Sequence, residues 1–530
     1  MRKLPIGLQN FEGLRRDGYL YADKTQYVYN LVESGKYYFL SRPRRFGKSL
    51  FLSTLKAYFE GKRELFSGLK IVELTQDDPN AWKAYPIFHF DFNGADYSRE
   101  GVLEQIISNK LTDWEKLYGL ESAGLTLGER LEKLLTIAHD KASKRCVVLI
   151  DEYDKPLLEV MDNTDLLECN KKTFKGVYSV LKKADEHIAF AFITGVTKFS
   201  KVSLFSDLNN LNDISLQKQY ANICGITEEE LLNYFTPEIN ALAKEQSLTY
   251  DECLKTLKNR YDGYHFYPNS IGVCNPFCLL KAFFDKNFGS YWFATGTPTF
   301  LIQKMKDTKF DVRKLTNKEL CISQAKLENF RGEDTEPIPL LYQAGYLTIA
   351  GYNAKYNQYI LTIPNQEVEY GLFECMLPAY ISDASSSNDL DIYTLIKYVD
   401  SANLDGIKNV FVALFANIPY TTNDAPFEHY FQTVIFIVFK LLGQYTKCEQ
   451  HTATGRIDCI LETDDYIYIF EFKRDGTAKE ALEQIEAKQY AFPFAADKRK
   501  LYKIGVAFDS ETRLVSDWAV EESPIDTTFT

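Results

Sequence analysis

Tyr37-Tyr38-Phe39-Leu40-Ser41-Arg42-Pro43-Arg44-Arg45-Phe46-Gly47-Lys48-Ser49 opens with five residues of strand-like content and runs into a Pro/Arg/Gly loop. An amphipathic pattern then continues to Phe59, so the stretch reads as strand, loop and helix. A triphosphate site needs backbone N–H groups at a helix N-terminus, a Lys for the β- and γ-phosphates, and a hydroxyl for Mg²⁺. Gly47, Lys48 and Ser49 supply the last three positions of G-x-x-x-x-G-K-[ST], and Arg42 stands where the first glycine would be. The surroundings are basic. Residues 1–64 hold 13 Lys/Arg against 6 Asp/Glu, on a chain whose net charge is −12. A basic start on an acidic body fits a phosphate-handling site better than a DNA-coating surface, although a solvated basic face has the same composition.

Outward from this stretch, Pro86-Ile-Phe-His-Phe-Asp-Phe reads as a second strand. Cys146-Val-Val-Leu-Ile and Ile188-Ala-Phe-Ala-Phe-Ile are apolar runs of the kind covered on both faces. Helical patterns at 128–142 and 171–184 alternate with them, which predicts an α/β unit with a mainly parallel sheet. The run from Cys146 ends in Asp151-Glu152. In P-loop ATPases an Asp there holds Mg²⁺ and a following Glu orients or deprotonates the attacking water. A helix N-cap would use the same residues. Thr194, at the end of its own strand, is the candidate polar sensor. His89 and His139 read as core or surface residues.

From about 225 to 345 the pattern is mostly helical, with turn signals at Tyr261-Asp-Gly-Tyr264 and Tyr267-Pro-Asn. The aromatics of 261–267 read as a packed junction. A hairpin is predicted over 345–363, and a linker over 382–388. Beyond it an α/β pattern returns: a helix from about 426, strands near 456–462 and 466–473, a helix over 478–491 and a strand over 501–508. Domain boundaries are expected at 1–224, 225–381 and 382–530.

The second strand pair carries Asp458, Glu471 and Lys473. Metal-dependent phosphodiester cleavage needs carboxylates converging on Mg²⁺ and a cation near the attacking water. Glu471 and Lys473 are two apart in a strand and share a face. With Asp464-Asp465 as a two-residue turn, Asp458 falls opposite Glu471, where like charges repel. A bound cation resolves that conflict, whereas a salt bridge from Lys473 does so only in part. Glu428 opens the helix with Phe431, Ile435 and Leu442 on its stripe, where an acid complements the helix dipole.

The 530 residues allow three or four domains. Apolar residues at 45% and charged residues at 25% exclude a disordered or fibrous chain. The ten Cys show no paired zinc spacing beyond the weak Cys274-x-x-x-Cys278. The start lacks a continuous apolar segment, and the longest apolar run, 434–439, is far short of the roughly 20 residues of a membrane span. A soluble cytoplasmic protein with reduced thiols and no membrane partner is expected.

RPRRFGKSL (42–50), VVLIDEYDKPL (147–157), FITGVTKFS (192–200), ICGITEEEL (223–231), YDGYHF (261–266) and YWFATGTPTFL (291–301) together resemble the AAA-ATPase-like proteins of bacteria. That family pairs an N-terminal P-loop domain with a C-terminal PD-(D/E)XK nuclease-like domain, and the resemblance runs from residue 6 to about 510. It implies an AAA-like parallel sheet, a helical or winged-helix-like middle region and a restriction-endonuclease-like α/β domain. It further implies ATP at Lys48 and Ser49, with Asp151 and Glu152 at metal and water. Arg44 and Arg45 match the family's loop, so the missing first glycine is a family trait. In PD-(D/E)XK folds an acid on the first helix often joins the metal site, which points to Glu428. A glutamine after the E-x-K strand is frequent too, which points to Gln484, although Tyr490 stands six residues on and the QxxxY spacing is absent.

The function expected is ATP binding and hydrolysis, coupled to a Mg²⁺-dependent nuclease-like domain acting on DNA or RNA. ATP and Mg²⁺ are the cofactors and nucleic acid is the partner. Two rival readings are a nucleotide-driven switch that binds without cutting, and a protein scaffold that keeps both pockets for stability.

Overall fold

The computed structural model describes residues 2–198, 205, 208, 210–293, 299–328, 336–381, 392–416, 427–442, 446–451, 456–512 and 514–523, without the side chains of 300, 427–432, 446–451 and 456. The predicted linker over 382–388 lies outside these residues. The chain divides into two compact units, Met1–Thr295 with Lys314–Val368, and Gly296–Arg313 with Glu369–Thr530. Among the described residues, no helix is long and apolar enough to cross a membrane.

The first unit is built on strands β1 (Tyr37–Ser41), β2 (Ile87–Asp91), β3 (Cys146–Asp151), β4 (Ile188–Gly195) and the short β5 (Asn212–Asp213). They form one parallel sheet in the order β2-β3-β4-β1-β5. Every residue of β1 and β3 is buried, as their unbroken apolar runs require. Because the strands are parallel, their carboxyl ends share one edge of the sheet. Leu40 pairs with Thr194 and Ile150 with Ile193, so β1, β4 and β3 deliver the loop after Ser41, Thr194 and Asp151 side by side. That is the edge where open α/β sheets bind ligands. The helices over Leu127–Ala142 and Thr164–Lys183 follow the periodic stretches, the first closed by a Thr126/Glu129 capping box.

The same unit continues with β6 (Ile226–Thr227) paired to β7 (Val273–Cys274) around the helices Glu228–Glu245 and Tyr250–Tyr261. A three-stranded antiparallel sheet follows, formed by β8 (Leu320–Ser323), β9 (Thr348–Asn353) and β10 (Gln358–Thr362) in the order β8-β10-β9. The predicted hairpin is β9–β10. Strand β8 is an addition, since four residues are too few for a periodic signal.

The second unit holds a five-stranded sheet in sequence order: β11 (Thr446–His451), β12 (Arg456–Glu462), β13 (Tyr466–Arg474), β14 (Lys500–Phe508) and β15 (Val515–Ser523). Strands β13 and β14 are parallel, joined through the helix Ala478–Ala487, and the other pairs are antiparallel. That helix was expected to reach 491. It stops at Ala487 because Gln489 turns left-handed (φ 53°), and the Tyr490 amide then closes back on the Ile485 carbonyl at 3.0 Å. Alternation along β13 sorts its two faces. Ile467 and Ile469 pack with Leu482 and Ile485, whereas Phe470 and Phe472 meet Phe439 of the helix Phe427–Leu441 at 5.1 and 6.2 Å. The outer strands β11 (TKCEQH) and β15 (VSDWAVEES) carry too many polar residues to read as buried strands, which is how sheet edges are composed.

Candidate functional site

Lys48 is the first residue of the helix Lys48–Phe59, and its side chain is buried. Its Nζ donates to the carbonyls of Arg42 (3.0 Å) and Pro43 (3.2 Å) and lies 3.6 Å from Glu152 Oε1. Gly47 caps this helix at φ 95°, with open space where a Cβ would stand, so backbone conformation and not crowding asks for glycine. Beside the loop, Asp151 accepts a hydrogen bond from Thr194 Oγ1. Burial raises its carboxyl, and hydrogen bonds with Ser49 and Thr194 oppose that rise. Glu152 sits at φ 55°, a left-handed conformation worth roughly 1–3 kcal/mol of local strain for a non-glycine residue. The turn aims its carboxylate toward Lys48. Lys48, Ser49, Asp151, Glu152 and Thr194 are therefore brought together.

A cavity of about 520 Å³ opens over Lys48, Ser49 and Glu152. Arg44, Arg45, Gly47, Lys48, Ser49, Glu152 and Lys155 line it with polar and cationic groups, and Leu8, Tyr21, Phe235 and Phe277 add apolar wall. Arg44 and Arg45 are exposed, and the Arg45 guanidinium lies 4.4 Å over the Phe277 ring. Arg42, in the position of the missing glycine, is 1% exposed and points elsewhere. Its guanidinium donates to the carbonyls of Ser41, Ser215 and Tyr220 at 2.8–3.0 Å.

In the second unit the β12–β13 register is Cys459↔Phe470, Ile460↔Ile469, Leu461↔Tyr468 and Glu462↔Ile467, as the two-residue Asp464-Asp465 connection requires. Extended by one residue, that register sets Asp458 opposite Glu471, and the Asp458 charge acts on the Glu471 carboxyl. Asp458 Oδ2 accepts the Phe472 amide at 3.0 Å. Glu471 is 2% exposed, and its Oε1 accepts from Gln484 Nε2 and from Lys473 Nζ, the latter at 3.3 Å. Lys473 Nζ also donates to Gln484 Oε1. Among the described residues, the buried Glu471 Oε2 has no hydrogen-bond partner. Burial, and then the neighbouring Asp458 carboxylate, push Glu471 up to about 7, with Lys473 and Gln484 opposing. A buried carboxylate oxygen with no donor, beside a second carboxylate, is a donor set that fits a hard divalent cation.

Glu428 stands in the first turn of Phe427–Leu441, and its side chain lies outside the described residues. Among the described residues no three His, Cys, Asp or Glu side chains cluster as metal ligands, so the hairpin site contributes two. Cys274 and Cys278 are buried free thiols.

A family model described as predicted AAA-ATPase matches residues 5–205. A second, described as PD-(D/E)XK nuclease superfamily, matches residues 426–518. An "Uncharacterized protein in vnfD 5'region" of Azotobacter chroococcum mcd 1 is 36% identical over 532 residues, covering 98% of this chain and 99% of its own length. The chain belongs to the AAA-ATPase-like family. Its C-terminal portion is a PD-(D/E)XK nuclease-superfamily domain.

One side chain that the motifs do not single out, Asp154, supports the first site of this AAA-ATPase-like protein. Asp154 is fully buried and accepts from the Val196 amide (3.1 Å), the Thr197 amide (2.6 Å) and the Thr197 hydroxyl (2.7 Å). It ties the turn after β3 to the end of β4 and so holds Thr194 against Asp151. Burial, then the Glu152 charge, raise its carboxyl to about 6. The third acid of Asp151-Glu152-Tyr153-Asp154 was the available signal. Gln484, to which the resemblance points, joins the second site. It bridges Glu471 and Lys473 although the QxxxY spacing is absent, because position 484 on Ala478–Ala487 faces the Ile467/Ile469/Glu471 side of β13.

Proposed function

We propose that this protein binds and hydrolyses ATP in its first unit and cleaves phosphodiester bonds of DNA in its second. The observation that carries the cleavage reading is the buried Glu471 Oε2, donorless among the described residues, next to Asp458 and Lys473. Asp458 and Glu471 would hold Mg²⁺, which supplies stabilisation of the charge developing on a scissile phosphate. Lys473 orients the attacking water, and Gln484 holds Lys473 and Glu471 in register. Glu428 is proposed as a third carboxylate.

For ATP, the Gly47–Ser49 amides at the helix N-terminus cradle phosphate, and Lys48 exchanges its two carbonyl partners for phosphate oxygens. Ser49 and Asp151 would hold Mg²⁺, Glu152 positions the water, and Thr194 fixes Asp151. Arg44 and Arg45 add positive charge to the cavity, whose apolar wall suits a purine. The test is ATP turnover with and without DNA, together with Mg²⁺-dependent DNA cleavage, in wild type, Lys48→Ala and Asp458→Asn. The reading expects Lys48→Ala to lose turnover and Asp458→Asn to lose cleavage. Cleavage that survives in Asp458→Asn removes the nuclease assignment.

A further inference from the structure

Phe46 lies in the middle of the phosphate loop, yet its side chain is 1% exposed. Its ring is met edge-to-face by Tyr264 at 4.7 Å, Phe266 at 5.5 Å and Trp292 at 6.4 Å. Such pairs are directional, each contributing beyond the area it buries. Phe266 has a second partner: the Arg42 guanidinium sits 4.0 Å above it. Arg42 and Phe46 bracket the carbonyls of Arg42 and Pro43 that hold Lys48. The box is itself anchored. Tyr264 and Val273 exchange backbone hydrogen bonds (3.4 and 3.0 Å), and the Trp292 amide donates to the buried Glu367 carboxylate at 2.7 Å. The Phe46 carbonyl accepts from the Gly225 amide at 3.2 Å. The loop is thus gripped at its start and its middle by residues some 180 to 250 positions away in the chain.

A phosphate loop with two glycines takes its shape from local backbone freedom. This one has an Arg in place of the first; within the loop Arg45 takes the left-handed conformation at φ 67° and Lys48 closes on the Arg42 and Pro43 carbonyls, and the distant contacts add to these. We propose that Arg42 and Phe46 are positioning residues for nucleotide phosphates, and that the Tyr264/Phe266/Trp292 box sets the loop geometry in place of the missing glycine. The inference rests on the reading of this loop as an ATP site. It gives the Tyr261–Tyr267 segment a defined role, which is to hold Phe46 and not to contact ligand.

The test separates phosphate recognition from general stability. Binding of ATP·Mg²⁺ and of adenosine is measured by calorimetry or competition on the full chain, with thermal unfolding in parallel. Phe46→Leu and Tyr264→Leu each weaken ATP by about tenfold, the scale of one or two lost aromatic pairs, and leave adenosine within about twofold. Tyr264→Phe keeps the ring and removes a buried hydroxyl that has no partner among the described residues, so it retains ATP affinity. Phe46→Leu combined with Tyr264→Leu costs less than the sum of the two, because both act through one box. The proposal is overturned by ATP and adenosine affinities falling together, by neither changing, or by Tyr264→Phe losing as much as Tyr264→Leu. Wild type that fails to bind ATP removes the nucleotide reading itself, and this inference with it.

Discussion

Burial and the facing Asp458 hold the Glu471 carboxyl near 7, above its ordinary 4.5. The folded chain therefore keeps this proton where the unfolded chain releases it. Stability falls as pH rises from about 4.5 to about 7, and the loss is complete above that. Glu471→Gln should flatten this dependence in metal-free protein and raise stability at pH 8 by roughly 1–3 kcal/mol. Thermal unfolding of the full chain at pH 5 and pH 8 measures it. Mg²⁺ should raise the wild-type midpoint more at pH 8 than at pH 5, and Glu471→Gln should lose that response. Asp458 is more than a repelling charge, since it accepts the Phe472 amide. Asp458→Asn keeps that acceptor and relieves Glu471, whereas Asp458→Ala leaves a strand amide short of its partner. In the first unit, Lys48→Ala should weaken ATP by roughly 10–100-fold, the value of a lost charge-assisted contact. Glu152→Gln should bind ATP and fail to turn it over; turnover within a few-fold of wild type would remove Glu152 from the water-positioning role.

At the scale of elements, the hairpin β12–β13 determines whether the two carboxylates meet. One residue inserted between Asp464 and Asp465 shifts the pairing by one and sends Asp458 to the other face. Cleavage should vanish while ATP turnover persists, which paired assays on the same sample resolve. The helix Ala478–Ala487 delivers Gln484, and Gly505 lets it approach. Gly505 pairs with Glu471 in the parallel register, and a Cβ there would stand 2.2 Å from the Ala478 carbonyl oxygen. Gly505→Ala should cost about 1–3 kcal/mol and push Gln484 off Lys473 and Glu471. Unfolding by denaturant, with cleavage measured on the same variant, reports both effects.

Over the whole molecule, charge is unevenly spread: the first 64 residues are basic and the chain as a whole carries −12. An acidic body that binds nucleic acid must do so through local basic surface, so affinity should drop steeply with salt. A titration of DNA binding at 50 and 200 mM salt should show a loss of at least about tenfold. Affinity that is flat across that range would favour a role in holding protein partners.

What the residues determined by themselves was local. The strand–loop–helix around Gly47-Lys48-Ser49 follows from aromatic content, turn residues and helical spacing within some twenty positions. The meeting of Asp458 and Glu471 follows from a two-residue turn and the period-two alternation of strands, and counting along the hairpin suffices for that. What tertiary structure decided involved distant partners. Arg42 could as well have entered the cavity; it is drawn instead to the Ser215 and Tyr220 carbonyls and the Phe266 face. Asp154 reads as one acid among three until β4 brings Val196 and Thr197 to it. Gln484 lacked its expected spacing, and only the packing of Ala478–Ala487 on β13 places it between Lys473 and Glu471. Periodicity reports which face a side chain takes. It carries no information about which distant residues supply the other half of a buried contact, because those are selected when the apolar faces close on one another.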